Sequence, residues 1–369
     1  MRKKEEISAA ERLYVASQWE LTWRKFKKHK LAMLGATILA IFYLIAIFCG
    51  FFSTQDIYKQ DRKYLYCPPQ RVHFFAEKGN FYLQPFVYGL KRTVNPETWR
   101  RIYTEDKSRK HSIYLFVHGD KYKLWNLFET DIHLFGVKEG TLFLLGTDKL
   151  GRDLLSRIIY AARISLSIGL VGVGLSFILG CILGGISGFY GGAADMIIQR
   201  IIEFLMSIPP IPLWMALAAA LPPHWSPIKI YFGIVIILSI IGWCGLARVV
   251  RGKFLELREE DFTMAARIAG ASEQRIITRH LLPSFLSYLI VHLTLAVPGM
   301  ILAETSLSFL GIGLRPPVVS WGVLLKDAQN YRTVVQNPWL LIPGLFVIIV
   351  VLALNFLGDG LRDAADPYK

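Results

Sequence analysis

Asp261-Phe-Thr-Met-Ala-Ala-Arg-Ile-Ala-Gly-Ala-Ser-Glu-Gln-Arg-Ile-Ile-Thr-Arg-His-Leu-Leu-Pro283 is a polar island between long apolar segments. The flanking runs reach the roughly 20 apolar residues that a helix needs to cross a bilayer. The island is too polar to lie in lipid and longer than a turn requires. Within it the pattern predicts two short helices. One ends in the Ala265, Ala266, Ala269 patch, and the other starts at Ser272, whose hydroxyl can cap free N–H groups. Gly270 sits at the break, where a left-handed backbone ends one helix and re-aims the next, while the small alanines let a partner surface come close. The island is a candidate docking site.

Composition agrees with a membrane chain: 53% of residues are hydrophobic and only 19% charged, with a positive mean hydropathy. The net charge of +14 raises the question of nucleic acid. The basic residues flank apolar spans without interleaved stacking side chains, so they are explained by topology control and nucleic acid is set aside. Cys49, Cys181 and Cys244 lie in apolar stretches and Cys67 stands alone. Neither a disulfide framework nor a C-x-x-C metal site can be built from them.

Six spans are predicted. Residues 1–30 form a polar segment closed by Trp23-Arg-Lys-Phe-Lys-Lys-His-Lys30, a basic cluster that holds the N-terminus in the cytoplasm. Leu31 to Phe52 is followed by no small-residue cleavage site and is longer than a signal core, so it is expected to be a retained first span. The second runs to about Phe189, the third begins at Met196, and the fourth covers about Tyr231 to Ala247. The fifth covers about Phe285 to Leu302, and the sixth about Trp339 to Leu357, leaving a short cytoplasmic tail. The density of Arg248, Arg251, Lys253, Arg258, Arg267, Arg275 and Arg279 puts the island on the cytoplasmic side as well.

Residues 53–145 shift to aromatics, Pro, Gly and mixed charge, with alternation such as Ser112-Ile-Tyr-Leu-Phe-Val117, and are expected to form an extracytoplasmic insert with an α/β or mostly β fold. Its histidines, His73, His111, His118 and His133, match no ligand spacing and are expected to be scattered surface side chains.

Inside the spans, Gly169, Gly172, Gly180 and Gly184 recur at helical spacings that favour close helix packing in lipid. Arg200 and Glu203, three residues apart, can pair on one helix face. Pro209, Pro210 and Pro212 must kink or unwind the third span, and such breaks survive in a membrane only where buried in protein or lining a cavity. His292, Pro298 and Glu304 complete the pathway candidates. Glu304 is either an ionisable group at membrane depth, a functional candidate, or lies at the exit of the fifth span, where Ser306 to Gly322 continues as a semi-apolar loop.

The Ala265-Ala-Arg-x-x-Gly270 segment, closed by His280-Leu-Leu-Pro283, resembles the cytoplasmic "EAA" signature of permease subunits in ABC-type importers. Four further stretches narrow the resemblance: Trp23 to Gly35, Gly146-Thr-Asp-x-Leu-Gly-Arg-Asp153 with Tyr160-Ala-Ala-Arg-Ile-Ser165, Phe189-Tyr-Gly-Gly-x-x-Asp195, and Leu307-Ser-Phe-Leu-Gly311 with Pro316-Pro-x-x-Ser-Trp-Gly322. Together they are similar to the second permease of the dipeptide, oligopeptide and nickel importer family, over the chain apart from the insert and the first twenty residues. Two departures stand out. Met264 occupies the family's glutamate position, with Glu259, Glu260 and Asp261 as nearby replacements. The insert is longer than in simple oligopeptide permeases and resembles the larger extracytoplasmic domains of some members.

The resemblance implies an all-α polytopic membrane protein of the type I ABC importer permease fold, with six transmembrane helices, the insert between helices 1 and 2, and residues 146–369 as the permease core. Residues 251–283 would form the coupling loop, with Asp261, Met264, Ala265, Ala266, Gly270, Ala271, Ser272, Arg275, His280 and Pro283 meeting an ATPase. The implied partners are a second homologous permease, two cytoplasmic ATP-binding subunits and an extracytoplasmic solute-binding protein, all at a bacterial cytoplasmic membrane. ATP and Mg would bind on the ATPase subunits and no cofactor directly on this chain. In keeping with that, Gly252-Lys253 falls short of a phosphate loop, because Ala247 replaces the first glycine and Phe254 the Ser or Thr. Peptides or peptide-like solutes are the expected cargo, with nickel or another metal complex as the alternative. Two readings from other classes are an intramembrane serine protease, built on Gly185-Ile-Ser187-Gly188 with His292, and a passive channel; neither accounts for the island.

Overall fold

The computed structural model describes residues 18–75, 81–97, 101–125, 127–222 and 224–365. Residues 1–17 of the polar N-terminal segment, and Pro223 in the turn before the fourth span, lie outside them.

Five helices are long and apolar enough to cross a membrane: Lys30–Ile47, Leu154–Tyr190, Pro227–Leu257, Leu286–Phe309 and Pro338–Ala365. A bent pair, Gly192–Ser207 and Pro210–Ala219, meets at 90° and passes the same test when taken together. Helix direction identifies this pair as the third crossing. Contacts between the second and fourth spans rise together along both chains, from Tyr231 on Ser167 through Ser239 on the Gly172 carbonyl to Gly188 against Phe254. Those two spans therefore run parallel, and the chain must return between them. The fourth, fifth and sixth helices extend beyond the predicted limits, because polar turns at their ends continue the backbone hydrogen bonding of the apolar stretch, whereas the first ends at Ile47 and a separate short helix, Cys49–Phe52, completes the predicted span.

Glycine sets the spacing of this pair. A Cβ on Gly184 would meet the Ala247 carbonyl oxygen at 2.5 Å, and one on Gly188 the Arg251 carbonyl oxygen at 2.6 Å, so the two backbones are in contact, as small residues allow in membrane helices. Gly169 and Gly172 instead admit side chains of the fifth span, Ile301 and Val297 at the first and Met300 at the second. The first and sixth spans run antiparallel, with Gly35 against the Ala353 carbonyl and Phe26 and Ala32 clustered with Ala364.

The prolines act as expected, though by ending a helix rather than kinking it. Pro209 caps the second piece of the third span and Pro210 opens it, where a missing N–H has no cost. Pro298 is buried inside an unbroken fifth helix. Arg200 and Glu203 pair at 2.6 Å on an exposed face.

Among the described residues the insert is mostly β, with one short 3-10 turn at Arg62–Tyr64. Strands β1 (His73–Phe75), β2 (Phe81–Val94), β3 (Arg101–Leu124) and β4 (Phe128–Val137) form one antiparallel sheet in sequential order. Strand β3 pairs along one half with β2, from Val94↔Arg101 to Phe86↔Ser112, and along the other with β4, from Ile113↔Val137 to Leu124↔Phe128. The Ser112–Val117 alternation thus marks the middle of a much longer strand. One histidine differs from expectation: His133 is buried, its two ring nitrogens 2.7 Å from the Ser53 carbonyl and 2.9 Å from the Asp120 carbonyl. It joins the sheet to the chain leaving the first span.

The Gly146-to-Asp153 motif fastens the insert to the bundle. Asp148 accepts from the Leu150 and Arg152 N–H groups and pairs with Arg152 at 2.7 Å. Asp153 caps the second span by accepting from Ser156 N at 2.8 Å and also accepts from Thr54 Oγ1. Burial pushes the Asp153 carboxyl up, against the pull of those donors. Since the second span starts at the insert, its far end at Tyr190 lies at the opposite pole. So do the ends of the fourth and sixth spans, and with them the Asp261 to Pro283 island.

Candidate functional site

The island folds as two helices, Asp261–Ile268 and Glu273–Ile276, the second continuing through a π-turn at Ile277–Leu281 toward the fifth span. The stop between them is built from the backbone. Gly270 has φ +76°, its N–H donates to the Arg267 carbonyl at 2.9 Å, and the Ala271 N–H donates to the Ala266 carbonyl at 3.0 Å. This pair of bonds is the Schellman arrangement, which satisfies the last free carbonyls and requires a left-handed residue at the position Gly270 holds. Ser272 Oγ then accepts from Arg275 N at 3.4 Å as the N-cap of the next helix.

One face of this pair is anchored. Ala266, Ile276 and Leu281 are buried against Phe189, Phe254 and Phe285, the adjoining ends of the second, fourth and fifth spans. Thr263 is fully buried and donates to the Leu257 carbonyl at 2.8 Å, and the Arg267 guanidinium lies 5.6 Å from the Phe189 ring centroid. The other face is open and apolar: Phe262, Met264 and Ile268 are exposed, Ile268 at 89%, alongside Asp261, Ala265, Ala269 and Arg275. His280 is half-buried and Pro283 exposed. A group of uncovered apolar side chains this size marks a contact surface.

Beside it lies a polar cluster that spacing along the chain did not assemble. Asp195 takes Arg251 in a two-pronged pair, from Nε at 2.5 Å and Nη2 at 2.6 Å, and also accepts from Ser187 Oγ, whose oxygen in turn accepts from Gln199 Nε2 at 3.1 Å. Forked guanidinium–carboxylate geometry is both strong and directional. It ties the start of the third span to the end of the fourth. The available signal was Asp195 in the first turn of the third span and Arg251 among the basic residues that close the fourth.

The proposed Ser187–His292 pairing does not occur. Ser187 is fully buried with Asp195 and Gln199 as its partners, and His292 stacks on Tyr288 of its own helix. A serine with no imidazole beside it, its hydroxyl tied to a carboxylate already held by Arg251, lacks the geometry of the proposed Ser–His nucleophile.

The pathway candidates disperse. Pro209, Pro210 and Pro212 are exposed, whereas Pro298 and Glu304 are in the core. Glu304 is fully buried inside the bundle. One of its oxygens accepts from Ser308 Oγ and Ser320 Oγ, each at 2.7 Å, and the other has no hydrogen-bond partner among the described residues. This carboxyl helps fold the segment after the fifth span back into the bundle: Trp321 is fully buried, its N–H donating to Ser165 Oγ at 3.1 Å and its ring N–H to the Ile158 carbonyl at 3.2 Å. A cavity of about 160 Å³ beside this segment is lined by Ala218, Trp225, Ile230, Ile312 and Arg315 among others.

Comparison with known proteins agrees with this architecture. Residues 176–368 match the family described as binding-protein-dependent transport system inner membrane component, and residues 17–69 match the N-terminal TM domain of oligopeptide transport permease C. The dipeptide transport system permease protein DppC of Bacillus subtilis is 31% identical over 94% of this chain and 84% of its own length. The oligopeptide transport system permease protein OppC of the same organism is 30% identical over 95% and 90%. Its Haemophilus influenzae namesake is 43% identical over 60% and 69%. The chain belongs to the binding-protein-dependent transport system inner membrane components and is a multi-pass permease of that family.

Proposed function

We propose that this permease is one half of the membrane pathway of an ATP-driven importer for peptides or peptide-like solutes. It pairs with a homologous permease, two ATP-binding subunits and a solute-binding protein. The observation that carries the reading is the two-faced Asp261–Ile276 helix pair. One face is fastened to the ends of three spans, and the other presents Met264, Ala265 and Ile268 for an ATPase groove. Displacement of the pair by the ATPases would rock the attached spans as rigid bodies between two openings. ATP and Mg are held by those partners, and hydrolysis takes place there. The basic clusters at Trp23 to Lys30 and around Arg251 support a cytoplasmic position for both termini and the helix pair. Peptide cargo is favoured by the names of the Bacillus relatives, which span nearly the whole chain.

Gly270→Val tests the coupling. The variant should insert and assemble its spans normally yet lose ATP-linked uptake, because a β-branched residue resists the left-handed turn. Normal ATP-linked uptake by the variant would refute the reading. Cargo is tested separately, by purifying the assembled importer with its solute-binding protein and identifying the captured ligand. A ligand that is not peptide-like would exclude the proposed class.

A further inference from the structure

The β3–β4 hairpin carries apolar side chains that the bundle leaves uncovered. At its tip Trp125, Leu127 and Phe128 are 47%, 75% and 62% exposed, and Leu115 and Phe116 on β3 are 70% and 64% exposed. Single exposed apolar residues are ordinary, but a group on one hairpin marks a surface with a partner. The hairpin's position identifies that partner. The first span turns Ile41, Leu44 and Ile47 outward at about half exposure, the surface such a helix offers to lipid. Trp125 Nε1 donates to the Ile47 carbonyl at 3.1 Å and its ring lies 5.6 Å from Phe48. Phe116 lies 6.2 Å from Phe51, and Tyr122 is seated so closely on Gly50 that a Cβ there would fall 2.2 Å from the ring. The hairpin is thus docked on the turns where the apolar helix leaves the membrane. Its exposed side chains continue the lipid-facing surface of that helix.

The backbone supports the same conclusion. Phe116 and Trp125 take φ +54° and +52°, a left-handed conformation that bulky residues rarely adopt and that persists only where the surroundings over-determine it. In both cases the ring is directed to the end of the first span. Tryptophan concentrates at the headgroup level because its ring is apolar and its N–H polar. Exposed Lys123 stands just behind the tip, where its long stem can carry the ammonium group to lipid phosphates, while Lys121 pairs with Glu129 at 3.1 Å.

We propose that this hairpin is a membrane-interface anchor. Trp125, Leu127 and Phe128 enter the headgroup and upper acyl region of the leaflet at which the first span ends, and hold the sheet against the membrane. The inference rests on the membrane-spanning fold and not on what is transported.

The test uses the full chain in vesicles of phosphatidylethanolamine and phosphatidylglycerol, with a polarity-sensitive fluorophore on Leu127→Cys or, for comparison, on Lys91→Cys of β2. The signal from native cysteines in the unsubstituted chain is subtracted. The Leu127 label should emit further to the blue, be quenched by a lipid nitroxide near the top of the acyl chain, and be quenched several-fold less by iodide present on both sides. Adding Trp125→Ala should raise its iodide quenching toward that of the Lys91 label. Equal iodide access at both positions would overturn the proposal. Protection from iodide without nitroxide quenching would overturn it too, since the tip would then be covered by protein.

Discussion

At the scale of single residues, two kinds of glycine serve different ends. Gly184 and Gly188 allow the second and fourth spans to touch through their backbones, whereas a Cβ on Gly174 would meet nothing within 4 Å. Gly184→Leu should therefore destabilise the bundle by about 1–3 kcal/mol or more, as overpacking of a close contact does. Gly174→Ala should be neutral, and thermal unfolding in detergent distinguishes the two. Gly270 is different again: space around it is open and only its dihedral is demanding. Met264, where the family signature has glutamate, is 44% exposed. Met264→Glu should leave stability within about 0.5 kcal/mol, as surface changes usually do, so any change in uptake it causes would belong to the contact with a partner and not to folding. Its place in the signature was legible from the motif; its exposure was not.

At the scale of elements, the helix pair and its supports were legible to different degrees. Ser272 as cap and Gly270 as stop follow from neighbouring residues, since a Schellman turn and an N-cap are completed within a few positions of the chain. The Asp195–Arg251 tie required two spans to be brought side by side. Asp195→Ala and Arg251→Ala should each loosen the start of the third span. A double-mutant cycle in unfolding free energy should give a coupling of about 1 kcal/mol, modest because both side chains retain some contact with solvent, 32% for Arg251 and 20% for Asp195. A coupling indistinguishable from zero would mean that the forked geometry contributes no stability. Similarly, the segment from Ser306 to Gly322 read as a loop because of its prolines and glycines. Its burial through Trp321 and Glu304 depends on Ser165 and Ile158, far away along the chain.

For the whole molecule, the sheet is held to the loop that leaves the first span by polar contacts that acid can address. Burial opposes ionisation of Asp120, but hydrogen bonds from Lys59 and the Asp56 N–H outweigh it and hold the carboxyl below its ordinary value of 3.8. A lowered folded-state value means the stabilisation is complete above the ordinary carboxylate range and is lost as pH falls through the lowered value. Hydrogen exchange at the Asp56 amide, corrected for its intrinsic rate, should accelerate as the pH is taken below that range. In Asp120→Asn it should already be fast at neutral pH and lose this dependence. Exchange in the native chain that ignores pH would show that Asp120 does not hold the loop.

Membrane class, number of crossings, helix pair and β character of the insert were all readable from contiguous residues, because apolar run length, period and capping chemistry are local properties of a chain. Which charges meet, which proline ends a helix and which lies buried in one, and where Glu304, His133 and the β3–β4 hairpin come to rest were not. Those outcomes depend on contacts such as Asp195 with Arg251, 56 residues apart, and Trp321 with Ser165, 156 apart. Such partners are chosen by close packing of whole helices, a property that no short stretch of sequence contains.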